Sequence, residues 1–173
     1  MLLKSTFLSI WLLLFFSASL IAQTEKPPCT GGSYDLVTPY LGTWHEYRVT
    51  DSTEVFLGTL ITELQVKGCA IRQSFARQDS SFTYQSLGYV NPSSGLWHEN
   101  YVFSNGGTAT FQWVTEGENL YTLRIAASRS SDHIYRLQYS PMLNKEYTVT
   151  LQRSYDGGKT WESTGTTRIK QVI

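Results

Sequence analysis

The sequence predicts an all-β fold: a single up-and-down barrel of about ten antiparallel strands, with a short N-terminal helical turn. Three observations carry this. Beyond Thr43 no long segment has the apolar period of a helix. The chain instead alternates short β-rich runs with clusters of turn residues. The connections are short, so each run pairs with the next in a meander, whose two open edges disappear on closure into a barrel.

The elements follow in order. Lys4 supplies a positive start, and Phe7 to Ile21 is apolar apart from serines. Small residues at Ala18, Ser19 and Ala22 precede the polar Gln23-Thr24-Glu25-Lys26. Residues 1–22 therefore read as a signal peptide cleaved after Ala22. The apolar run is shorter than the roughly 20 residues of a spanning helix, so no membrane span is expected after cleavage. Export to the periplasm or the medium follows. Residues 23–33 form a Pro/Gly/Thr tail, mobile unless Cys29 pins it. The barrel domain is assigned to 34–173, with a helical turn at Tyr34–Val37 that Pro39 ends.

The predicted strands are Thr43–Thr50, Val55–Gln65, Cys69–Arg77, Phe82–Val90, Leu96–Phe103, Thr108–Thr115, Leu120–Ala126, His133–Tyr139, Glu146–Ser154 and Trp161–Lys170. Breaks such as Lys67-Gly68, Asn105-Gly106-Gly107 and Asp156-Gly157-Gly158 separate them. Ten strands are enough to enclose a cavity. Several runs place polar and apolar residues on one face; Trp97, Glu99, Tyr101 and Phe103 are an example. That mixture is costly in a packed sandwich but suits a barrel that holds water or a ligand.

Composition narrows the function classes. The 14 basic and 14 acidic residues cancel, so nucleic acid is not an expected partner. Aromatic residues make up 14% of the chain, the kind of side chain that lines ligand cavities. The two cysteines, Cys29 and Cys69, admit two readings in an exported protein. They could form a disulfide worth about 3–4 kcal/mol in the loop-entropy account. They could equally remain thiols, with Cys69 a small buried residue.

Leu41-Gly42-Thr43-Trp44, directly after the helical turn, resembles the Gly-x-Trp that opens lipocalin and wider calycin barrels. Tyr34-Asp35-Leu36, Gly68-Cys69, Asn91-Pro92-Ser93-Ser94-Gly95-Leu96-Trp97 and Ser154-Tyr155-Asp156-Gly157-Gly158-Lys159-Thr160-Trp161 resemble, in order, segments of a bacterial family of small lipocalin-like proteins without assigned function. Asn91 replaces a usual acid. The resemblance implies a calycin-like barrel and no activity. It also implies that Trp44 plugs the closed end and that Arg168, near the last strand, stacks on it.

Ser154-x-Asp156-x-Gly158-x-Thr160-Trp161 is similar to the Asp-box hairpin of sialidase propellers. Its expected role is structural: Asp156 accepts turn amides, Gly158 relaxes the backbone and Trp161 covers the hairpin. His45, His98 and His133 lack metal-ligand spacing, so no metal or other cofactor is expected. The cavity candidates are Arg72, Tyr89, Trp97, Tyr101, Trp113, Arg124 and Tyr135, with Phe111 and Arg136 beside them. An inward arginine would fix an anionic head group such as a fatty-acid carboxylate. No nucleophile elbow, zinc-protease signature or phosphate loop is present.

The function these features favour is binding or carriage of a small hydrophobic or amphipathic molecule. An interaction module with a filled core is the first alternative. The second is a cavity isomerase or hydrolase, with Glu46 and Glu99 near His98 as its candidate groups. The sequence leaves the oligomeric state open.

Overall fold

The computed structural model describes residues 29, 31–51, 53–117, 119–127 and 132–172. The leader assigned to 1–22, and most of the tail assigned to 23–33, lie outside the described residues. Ten strands form: β1 Gly42–Val49, β2 Glu54–Gln65, β3 Ala70–Arg77, β4 Thr83–Val90, β5 Trp97–Phe103, β6 Thr108–Glu116, β7 Asn119–Ala127, β8 Ile134–Tyr139, β9 Glu146–Ser154 and β10 Glu162–Gln171. Each overlaps one predicted run. Each pairs antiparallel with its neighbour, and β10 pairs with β1 from Trp44↔Gln171 to Arg48↔Thr167, so the meander closes. Gly42 starts β1 at φ 121°, where a Cβ would meet Gln171 Nε2 at 2.9 Å.

The expected helical turn is two short 3-10 turns, Gly32–Tyr34 and Thr38–Tyr40. Pro39 lies inside the second rather than ending the first, because an early helical position needs no N–H from it. These turns cap one end of the barrel. Val37 and Tyr40 are buried there with Trp44, Ile71, Trp97 and Ile169. Cys29 and Cys69 form a disulfide, which ties the segment ahead of the turns to the start of β3. Trp44 Nε1 donates to the Tyr40 carbonyl at 2.9 Å, and Ser33 Oγ donates to the Gly95 carbonyl at 2.8 Å. We call this end the floor.

Trp44 is a floor residue, but its partner differs from expectation. Strand alternation sends Thr167 and Ile169 inward and Arg168 outward. The Arg168 guanidinium therefore pairs with Glu54 and Glu146 on the outer surface, and Lys170 reaches Glu54 at 2.8 Å. Tyr147 meets the Trp44 ring edge-on instead, at 5.3 Å between centroids.

The opposite end is the mouth. Three register shifts occur in the mouth half, beside Glu46/Tyr47, Thr110/Phe111 and Ser163/Gly165. Such bulges sharpen strand coiling and re-aim side chains.

A candidate ligand cavity

Between floor and mouth lies a cavity of about 720 Å³, within the range of small-molecule sites. Its lower part is aromatic. Trp113 and Tyr139 stack at 5.3 Å, Tyr139 and Tyr147 stack at 6.2 Å, and Tyr40 meets all three edge-on at 5.0–5.8 Å. Strands β4, β5 and β6 add Tyr84, Tyr101, Phe103 and Phe111, where Tyr101 is 5.3 Å from both Tyr84 and Phe111. Leu60, Leu137 and Val149 supply aliphatic wall, while Gln73 and Thr167 supply polar wall. This composition follows from alternation in most contributing strands, whereas toward the mouth β1 and β10, both bulged, line the cavity with consecutive residues.

Two carboxyl groups point inward. Glu46 lies one inward position above Trp44 on β1, beside the bulge and opposite Gly58. It lines the cavity, and no hydrogen bond reaches its carboxyl among the described residues. Burial pushes its pKa up from 4.5 to about 7. Glu99 is fully buried beneath the cavity lining. It accepts from Ser86 Oγ at 2.5 Å and from Trp113 Nε1 at 3.2 Å. Burial raises its pKa, opposed by those hydrogen bonds. Burial also raises Tyr40 to about 12 and holds Tyr84, Tyr101, Tyr139 and Tyr147 above the ordinary phenol range. Glu99 adds electrostatic resistance to ionisation of Tyr84, Tyr101, Tyr139 and Tyr147, and Glu46 adds to it at all of these but Tyr101. At neutral pH the interior thus presents intact phenols as hydrogen-bond donors.

The one cation among the lining residues is Arg48, an exposed residue at the mouth. The arginines proposed from sequence are placed elsewhere. Arg72 is on the outer wall and pairs with Glu63 at 2.6 Å. Arg136 is also outside, with its guanidinium 4.2 Å from the Trp161 ring centroid and its Nε donating to Gln152 at 2.7 Å. Arg124 occupies an inward position nearer the mouth, where it covers the Tyr135 ring at 4.3 Å and donates to the His133 carbonyl at 3.3 Å. Neither Arg124 nor Tyr135 lines the cavity.

Of the remaining candidates, Tyr101, Trp113 and Phe111 do line it. Trp97 is buried in the floor against Tyr34, 5.9 Å away. Tyr89 alternates to the outer face with its cross-strand partner His98. Glu99 faces inward from β5, so adjacency in sequence separates the proposed His98–Glu99 pair across the barrel wall. The sequence reading missed Tyr40, Tyr84, Tyr139, Tyr147 and Gln73 as lining residues. A signal was available: once Trp44 is inside, Glu46 and Arg48 are inside too.

The Ser154–Trp161 hairpin sits at the mouth. Asp156 accepts from Ser154 Oγ at 2.7 Å, Thr160 Oγ1 at 2.7 Å, Thr160 N at 2.9 Å and Lys159 N at 3.0 Å. Those hydrogen bonds, the Thr160 amide first, hold its carboxyl well below the usual range. Ser154 Oγ in turn accepts the Gly158 amide at 2.8 Å. Among the described residues no group of three or more His, Cys, Asp or Glu could hold a metal ion. No helix among them is long and apolar enough to cross a membrane. No protein-family model matches the chain, and no curated protein matches it.

Proposed function

We propose that this chain is an exported, lipocalin-like carrier that holds a small, partly apolar molecule inside the barrel. The observation that carries the reading is the cavity of about 720 Å³ between an aromatic floor and a bulged mouth. Eight aromatic side chains supply apolar and π surface, while Glu46, Gln73 and the tyrosine hydroxyls supply orientation. A filled-core interaction module would have no use for such a space. The export component is supported by the Cys29–Cys69 disulfide, which persists in oxidising compartments, and by the leader-like composition of residues 1–22.

Native mass spectrometry of the protein purified from its own secretory route tests this. A co-purifying small molecule of defined mass, lost on unfolding, is the expected result. A clean apo mass, together with no thermal shift from a panel of amphipathic amines, alcohols and carboxylates, would defeat the carrier reading.

A further inference from the structure

The charged groups inside the barrel bear on the chemistry of the ligand. An anion-binding barrel would carry arginines on its inner wall, but Arg72 and Arg136 face outward and Arg124 is engaged above the cavity. Arg48 remains, exposed at the mouth, where water and salt screen it. Deeper in, the only charged side chain lining the cavity is Glu46, whose carboxyl accepts no hydrogen bond among the described residues. The same cavity is lined by the rings of Tyr40, Tyr84, Tyr101, Trp113, Tyr139 and Tyr147, whose faces are electron-rich.

We infer that the cavity takes an organic cation: an aryl- or alkyl-ammonium whose charged head meets Glu46 while its apolar body lies against the aromatic floor and walls. This rests on the carrier reading above and adds the sign of the ligand's charge. Three physical features converge. An ammonium gives the unpartnered carboxylate a charge-assisted hydrogen bond. Aromatic rings attract a cation through their quadrupole, most strongly where water is excluded. The ring faces and the Glu46 carboxylate repel an anionic head, and Arg48, the one cation of the lining, would hold an anionic amphiphile head outward at the mouth.

The test uses three probes of one size and three charges: phenylpropylammonium, phenylpropanol and phenylpropanoate. Each is titrated by calorimetry at about pH 8 into the protein with its disulfide intact. The expected order is ammonium tightest, by about tenfold over the alcohol, with the carboxylate weakest. Glu46→Gln brings the ammonium down to the level of the alcohol. If the alcohol or the carboxylate binds as tightly as the ammonium, the charge assignment falls while the carrier reading stands. The same holds if the ammonium preference survives in Glu46→Gln. If none of the three binds at millimolar concentration, both readings fall.

Discussion

Replacing Glu46 by Gln should stabilise the protein at neutral pH and flatten its dependence on pH. The sign follows from proton binding. Burial raises the Glu46 carboxyl from 4.5 to about 7 in the folded barrel, so the folded state holds its proton more tightly than the unfolded chain. Below about pH 4.5 both states are protonated and the full stability is present. As pH rises the unfolded chain ionises first, and stability declines until the folded carboxyl also ionises near pH 7. At about 1.4 kcal/mol for each pH unit, the loss is about 3 kcal/mol. For a domain of this size that corresponds to about 6–12 °C in Tm. Glutamine keeps the shape and neutrality of the protonated acid, so the variant should melt with the wild type near pH 4 and above it near pH 8. The assay is thermal unfolding by circular dichroism across that range, in both proteins. Glu99 and the surface carboxylates titrate in both, so the difference between the curves isolates Glu46. Parallel curves, or a variant less stable at pH 8, would refute the reasoning.

Other perturbations have equally definite outcomes. Glu99→Ala leaves the Ser86 hydroxyl and Trp113 indole without their shared acceptor and opens a void, at a cost of about 2–5 kcal/mol in urea unfolding, whereas Glu99→Gln should lose much less. A Cβ at position 88 would lie 2.7 Å from Trp97 Nε1 and 2.9 Å from Ile71 Cγ1, so Gly88→Ala should cost about 1–3 kcal/mol and change the near-UV circular dichroism of the buried tryptophan. Asp156→Ala removes the acceptor of the Lys159 and Thr160 amides, so those two should exchange hydrogen faster while the amides of β3 and β4 keep their protection. Removing the disulfide with Cys29→Ser and Cys69→Ser together frees a closed loop of 40 residues in sequence separation and should cost about 3–4 kcal/mol by chain entropy.

The strand order was readable because turn residues and period-two alternation are local signals. Asn105-Gly106-Gly107 and Asp156-Gly157-Gly158 separate the strands that the structure contains, and antiparallel meander pairing needs no long-range information. The inner face was harder. Alternation divides each strand into two sets without naming the inward one, and an arginine mid-strand reads the same on either side. Arg72 is a cavity candidate as a mid-strand arginine and Tyr89 as one of the aromatic set, but Gln73 and Gly88, their immediate neighbours, are the inward ones. Arg168 illustrates the second kind of miss. Its proximity to Trp44 in the topology is real, but the pair Trp44↔Gln171 puts Gln171, not Arg168, beside the tryptophan. Register depends on how the whole barrel closes. Glu46 was legible in principle, since a buried Trp44 fixes the side of the residue two further on.

The closing seam also bears on how the molecule folds. Strands β1 and β10 meet across more than a hundred residues of chain, and Gln171 Nε2 donates to the Leu41 carbonyl across 130 positions. Every other strand pairing joins neighbours in sequence and can form as a local hairpin. Closing the seam is therefore the step with the largest chain-entropy cost and the slowest contact to establish. Until it forms, β1 and β10 each present an unpaired backbone edge on which a second nascent chain could add. Refolding yield should accordingly fall with protein concentration, although the finished cylinder offers no edge to a partner.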